Sequence, residues 1–248
     1  MKPNFYKENL KVTSAMCDTL FSVSISGVLD AFQNAQTAHT MLMGVDAPTM
    51  RAKDDAFWVL SKYQLHFFSK PAWNQEIAVT TWPSPPSLVK AERQLFVEDN
   101  DGNTLISAKA EWCALGFNDR KIRKLSSLTC YPFDMEHKTE KAWDGGFIPL
   151  SKKPDESDYV YSVKVRHSHL DFNRHVNNVK YVSMLTDCYG ADFWENVTVS
   201  DFEIAYLNES VEGDEIRIFS RKEDNYLYFW GNLADGKEIF RAVIIIND

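Results

Sequence analysis

Apolar residues recur along this chain with two periods, and the two alternate in an order that occurs twice. Residues 4–13 alternate loosely, with Phe5, Leu10 and Val12 as the apolar members, and predict a first strand. From Ser26 the period lengthens: Val28, Phe32, Ala35 and Leu42 share one helical face, and Gly44 is a natural stop. A charged connection containing Pro48 spans 45–56. Strand patterns then dominate in the runs 57–68, 76–82, 89–98 and 104–117. Pro71, Pro83-Ser84-Pro85-Pro86 and Asp99-Asn100-Asp101-Gly102 separate them, the last as a hairpin turn. Segment 126–157 has weak periodicity and carries Pro132, Gly145-Gly146, Pro149 and Pro154, the marks of a connection. The order then restarts. A strand (159–166) leads into a polar run and a long helix on which Val179, Val182, Leu185, Tyr189 and Phe193 share a face. Four strand patterns follow, at 199–207, 215–221, 226–233 and 238–246.

The restart is a repeat. Trp73-Asn74-Gln75-Glu76-Ile77 falls on Glu212-Gly213-Asp214-Glu215-Ile216 at a shift of 139 (215 minus 76), and Leu65 and Phe67 then fall on Ile204 and Tyr206. Asp101-Gly102-Asn103-Thr104-Leu105 falls on Asp235-Gly236-Lys237-Glu238-Ile239 at a shift of 134 (235 minus 101). Few letters are identical, so the shared order of elements carries the repeat, against the alternative of one α+β domain with accidental similarity. A helix wrapped by an antiparallel sheet resembles the hotdog fold. The expected class is therefore α+β, a tandem (double) hotdog. Its expected bounds are an N-terminal unit at 1–130, a linker at 131–157 and a C-terminal unit at 158–248. A single unit leaves a sheet edge and a helix flank exposed, and a second covers them.

Composition narrows the function classes. The chain has 248 residues, 44% of them hydrophobic and 13% aromatic, enough for a sizeable core. No apolar run approaches the ~20 residues of a membrane span. The N-terminal residues show neither a signal-peptide core nor an Arg-rich transit pattern. Cys17, Cys113, Cys130 and Cys188 lack C-x-x-C spacing, which points to free thiols in a reducing cytoplasm rather than to disulfides or zinc. The net charge of −8 argues against general nucleic-acid binding.

The candidate chemistry lies in His169-Leu170-Asp171-Phe172-Asn173-Arg174-His175-Val176-Asn177-Asn178-Val179-Lys180-Tyr181. An acid, three amides and two imidazoles precede a helix that Asn173 or Asn177 can cap. A helix start offers unpaired N–H groups and a favourable dipole to a developing oxyanion. Taken alone, polar residues at a helix start are ordinary caps. His167 and His169 form an H-x-H pair, but no third clustered ligand accompanies them, so no metal is expected. The corresponding start of the first helix, Ser22-Val23-Ser24-Ile25-Ser26-Gly27, has neither acid nor histidine. Glu209 follows the first strand after the second helix, and its repeat counterpart is Lys70. Both asymmetries place reactive groups in the second half alone.

The run from Asp171 to Tyr181 resembles the D-x-N-x-H-V-N-N-x-x-Y signature of acyl-acyl-carrier-protein (acyl-ACP) thioesterases. Phe57-Trp58-Val59-Leu60-Ser61-Lys62, Pro71-Ala72-Trp73, and Glu111-Trp112 with residues 120–125 resemble further segments of that family. Tyr206-Leu207-Asn208-Glu209-Ser210 is similar to its Y-R-R-E-C segment, with Leu207 and Asn208 in place of the arginines and Ser210 in place of the cysteine. The resemblance implies a catalytic group of Asp171, Asn173, His175 and Glu209, without cofactor or metal. Asn173 and helix N–H groups are assigned to the carbonyl oxygen, Glu209 or Asp171 to activating water, and His175 to positioning it or moving a proton. A cysteine nucleophile is excluded at position 210, and water is favoured over Ser210. The implied partner is an acyl carrier protein, which the basic residues Arg120, Lys121, Arg123 and Lys124 could steer; a solvated strand end is the competing reading. Rival functions are an acyl-CoA thioesterase and a non-hydrolytic acyl-binding protein. The oligomeric state is open between a self-sufficient monomer and a homodimer.

Overall fold

The computed structural model describes residues 2–146, 148 and 150–247. Among them, ten strands form a single antiparallel sheet: β1 (Tyr6–Lys11), β2 (Ala56–Phe67), β3 (Glu76–Pro83), β4 (Lys90–Glu98), β5 (Thr104–Gly116), β6 (Tyr159–Lys164), β7 (Thr198–Tyr206), β8 (Glu215–Glu223), β9 (Tyr226–Leu233) and β10 (Glu238–Asn247). Their spatial order, β1-β3-β4-β5-β2-β7-β10-β9-β8-β6, reads the same from both ends once each strand is matched to its repeat counterpart. Each half wraps a helix, α1 (Ile25–Met43) or α3 (Asn178–Thr186), and the two helices lie against each other. This is the expected tandem hotdog.

The halves join along β2 and β7. Gln64 pairs with Glu203, its own repeat counterpart (64 plus 139), so a pseudo-twofold axis passes through that pair. The turns obey the same shifts. Asn74 and Gly213 both have positive φ (69° and 93°), as do Gly102 and Gly236 (83° and 85°). These are left-handed positions that asparagine and glycine tolerate best.

Helix α1 runs from its cap at Ser24, whose hydroxyl accepts the Gly27 N–H, to Gly44 in the left-handed region. Val28, Phe32 and Ala35 are buried as the spacing predicts. Leu42 is not: it is 56% exposed, and the buried face passes instead through His39 to Met43, over which the Arg93 side chain lies. The connection at 45–56 holds a further helix, α2 (Ala47–Asp54), capped by the Asp46 carboxylate. Pro48 sits in its first turn, where a missing N–H costs nothing, so it opens this helix instead of breaking it.

The second helix is shorter than its apolar spacing predicts. It stops after Thr186, and a separate turn, α4 (Ala191–Glu195), follows Gly190. Tyr189 and Phe193 still pack on the core, with their rings stacked at 4.3 Å, because the Trp194 indole N–H donates to the Thr186 carbonyl and docks α4 against the end of α3. Two short helices thus present the one face that periodicity assigned to a single helix.

Among its described residues, segment 131–157 holds no strand, and it lies against the sheet. Sheet side chains bind its carbonyls: Gln64 that of Gly146, Ser107 that of Ala142, Trp82 that of Glu140 and Trp230 that of Lys152. Tyr131 and Met135, at its start, are buried beside α2. Pro149 lies outside the described residues. Among the described residues, no helix is long and apolar enough to cross a membrane, and the four cysteines are unpaired.

Candidate active site

The loop before α3 is shaped by its own acid. Asp171 Oδ1 accepts the backbone N–H of Asn173 at 2.7 Å and of His175 at 3.2 Å, closing a tight turn in which Arg174 has φ 65°. A Leu170–Val176 bridge ties the loop's two arms, and a His175–Val211 bridge ties it to the segment after β7. Asn177 caps α3 by accepting the Val179 N–H at 2.9 Å. Asn173, the other cap candidate, lies four residues upstream. Its side-chain amide makes no hydrogen bond among the described residues and faces the cavity described below. The first helical N–H, that of Asn178, is also without a partner among the described residues.

His175 and Glu209 meet beside this loop. His175 Nδ1 is 3.4 Å from Glu209 Oε1, and both side chains are partly exposed. Arg120, placed after β5 with φ 57°, completes the group: its Nη2 donates to Glu209 Oε2 at 2.5 Å and lies 3.3 Å from His175 Nε2. An N–H of a cationic guanidinium facing Nε2 makes that nitrogen the acceptor, and the proton then belongs on Nδ1, toward the carboxylate. Glu209 thus holds the imidazole in the tautomer whose Nε2 lone pair faces Arg120.

Arg120 was grouped by sequence with Lys121, Arg123 and Lys124 as a docking patch. The structure separates them. Arg120 turns into the site, Arg123 pairs with Asp119 at 2.9 Å, and Lys121 and Lys124 remain exposed. No local pattern marks Arg120, because its two partners lie 55 and 89 residues away. Ser210 is buried, and its hydroxyl pairs with the Tyr181 hydroxyl at 2.7 Å. It does not line the cavity that His175 and Glu209 share. His169 Nδ1 accepts the Arg166 N–H, so the H-x-H pair shapes a turn.

These groups stand at the mouth of a cavity of about 730 Å³ between the halves. Asp171, Asn173, His175 and Glu209 line one part of it, and residues of α1, the start of α2, β2 and β4, with Trp112 and Tyr131, line other parts. The arrangement offers a base held by a carboxylate, free amide donors for an oxyanion and an apolar chamber for a long chain.

Three comparisons bear on this site. Residues 3–132 match the family model described as the acyl-ACP thioesterase N-terminal domain, and residues 152–241 match that of the C-terminal domain. Among curated relatives, a palmitoyl-acyl carrier protein thioesterase of Arabidopsis thaliana is 26% identical across 96% of this chain and 62% of the relative. An oleoyl-acyl carrier protein thioesterase of the same plant is 20% identical across 85% of this chain and 62% of its own length. Both are chloroplastic, and the chain spans less than two thirds of either. Among solved structures, the 12:0-ACP thioesterase of Umbellularia californica superposes with a TM-score of 0.86 at 19% identity, covering 100% of this chain and 98% of the other. An acyl-ACP thioesterase of Bacteroides thetaiotaomicron gives 0.84 at 22% identity, covering 98% of both. At such identities the superpositions establish the fold.

Proposed function

The chain belongs to the acyl-ACP thioesterase family, and on that premise we propose that it hydrolyses the thioester of fatty acyl-ACP to free fatty acid and holo-ACP. The observation that carries the reading is the meeting of His175 and Glu209, with Asn173 lining the same chamber, whose volume has room for an acyl chain.

In this mechanism water is the nucleophile, because Ser210 is turned away toward Tyr181. The attacking water displaces the Arg120 N–H from His175 Nε2, which then takes the water's proton; Arg120 stays on Glu209, and Glu209 stabilises the imidazolium that forms. The Asn173 amide and the Asn178 N–H receive the carbonyl oxygen as it becomes an oxyanion. The tetrahedral intermediate collapses by breaking the C–S bond. The phosphopantetheine thiolate leaves readily and collects the proton from His175. Asp171 acts through the loop: its carboxylate is engaged by two backbone N–H groups and shapes the turn that presents His175.

Exposed Lys121 and Lys124, beside the Arg120 that reaches the site, suit an anionic carrier, and the family match favours an acyl carrier protein over a nucleotide. The reducing compartment that four unpaired thiols suit is, in our reading, the cytoplasm.

The test is thiol release from matched C8 to C18 acyl-ACP and acyl-CoA substrates by wild type and Glu209→Ala. Fast release from acyl-ACP that collapses in the variant supports reaction, carrier and site together. Preference for acyl-CoA overturns the carrier, and no release from either moves the protein to an acyl-binding role.

A further inference from the structure

The part of the cavity lined by β4 carries a charge that hydrolysis does not use. Arg93 sits on β4 at the inward parity shared by Ala91, Leu95 and Val97 and is 6% exposed, yet it lines the same cavity as His175 and Glu209. In the order β4-β5-β2-β7 it stands three strand spacings from β7, beyond whose end lies Glu209. At ~4.8 Å per spacing that is on the order of 14 Å. Arg93 is thus set apart from the reactive groups, on the side of the cavity that the distal part of a bound chain would enter.

Arg93 is poorly supplied with acceptors. Of its five N–H groups, those on Nη2 reach His39 Nδ1 at 2.6 Å and Thr81 Oγ1 at 3.3 Å. Nη1 has only the Met43 sulfur at 3.9 Å, and Nε is buried without a partner. No carboxylate lies within ion-pair distance of it among the described residues; the groups that favour its charge are the phenols of Tyr63 and Tyr131. His39 supplies no negative charge. Its Nε2 faces the Pro3 carbonyl at 2.9 Å, and burial with the Arg93 charge lowers its pKa to about 4, so it is neutral. Burial lowers Arg93 itself to about 10, which leaves it a cation at neutral pH. Tyr131, also lining the cavity, is pushed up to about 12 by burial, and its hydroxyl makes no hydrogen bond among the described residues. The other polar groups nearby satisfy one another: Trp112 donates to Gln36, and Gln36 to Tyr63.

A buried cation with unfilled donors is unfavourable unless something pairs with it. A methyl-ended chain leaves it unpaired, whereas an oxygen acceptor on the chain completes it. We infer that Arg93 and Tyr131 form a recognition subsite for an acyl chain bearing an oxygen acceptor at its distal end, a carboxylate above all. The subsite rests on the thioesterase reading, since it assigns the far end of the chain whose thioester His175 and Glu209 face.

The experiment compares thiol release from dodecanoyl-ACP and from the ACP monothioester of dodecanedioic acid. A kcat/KM ratio of about tenfold or more in favour of the carboxylate-ended chain is expected in wild type, falling by about 100-fold in Arg93→Met and less in Tyr131→Phe. Equal rates, or preference for the methyl-ended chain, in wild type overturn the subsite without recourse to any variant and leave the thioesterase reading intact. A ratio unmoved by both substitutions does the same. No thiol release from either substrate overturns the hydrolytic reading instead. Quenching of Trp58 and Trp112 fluorescence by monomethyl dodecanedioate and by methyl dodecanoate then decides the subsite by itself. Tighter binding of the former, lost in Arg93→Met, supports it, and equal binding overturns it.

Discussion

The loops that open α1 and α3 share one frame and differ in their chemistry. In the first, Asp18 Oδ1 accepts the N–H groups of Leu20 and Ser22; in the second, Asp171 Oδ1 accepts those of Asn173 and His175. Phe21 and Arg174 both adopt positive φ, and Ser24 and Asn177 both cap the helix that follows. The bridges correspond as well: Cys17–Val23 to Leu170–Val176, and Ser22–Ala72 to His175–Val211. What differs is the set of residues on the frame. Leu20, Ser22 and Lys70 stand where Asn173, His175 and Glu209 stand in the other half, and Lys70 pairs with Asp18 at 3.2 Å. The comparison assigns the acid common to both loops to the frame and, on the proposed mechanism, leaves the groups unique to one for the reaction.

The largest effects should fall on the unique groups. His175→Ala and Glu209→Ala are each expected to lower kcat/KM for acyl-ACP by about 10³-fold with little change in Tm, as steady-state kinetics and calorimetry will show. Retained turnover in both ends the assignment. Asn173→Ala should lower kcat by about 10²-fold through loss of an oxyanion donor. Asp171 offers the sharpest contrast. Asp171→Ala and Asp18→Ala should each cost about 1–2 kcal/mol of stability by denaturant unfolding, from lost loop hydrogen bonds, while only the former lowers activity. Asp171→Asn keeps the accepting oxygen and should keep most turnover. If it is as inactive as the alanine variant, the carboxylate has a chemical role and the frame argument breaks.

Smaller effects concern carrier and axis. Charge reversal at Lys121 and Lys124 should raise KM for acyl-ACP several-fold at low salt, with the effect fading as salt is raised. At the pseudo-twofold axis, burial raises the Glu203 carboxyl from its ordinary 4.5 to about 7, against the opposing pull of the Ile148 N–H it accepts. A carboxyl that binds its proton more tightly when folded contributes stability below pH ~4.5, and that stability is lost as pH rises toward 7. Wild-type Tm should fall across this window, and Glu203→Gln should flatten the fall.

The sequence carried the strands, the helix starts and the repeat, because alternation, caps and turn residues are local signals. It did not carry the break at Gly190, since Tyr189 and Phe193 keep helical spacing across two short helices. Helix α2 hid behind Pro48, whose meaning depends on whether it opens a helix or interrupts one. Arg120 was legible only as part of a basic run, because the carboxylate it seeks lies on the other half of the chain. Arg93 did leave a mark, a cation on the inward parity of an otherwise apolar strand face, but its missing partner is a property of three-dimensional neighbours.

The axis through Gln64 and Glu203 has an evolutionary consequence. Two identical subunits related by such an axis would spell every residue twice, so any change that tuned one chamber would tune its mirror image. Here one chain spells both halves separately. Lys70 can keep a loop closed where Glu209 serves another, and Arg120 from one half can complete a site whose remaining members come from the other. Carrying both halves in one chain leaves each free to differ from its twin, so a change in the first can reshape the chamber without altering the groups that the second sets at its mouth.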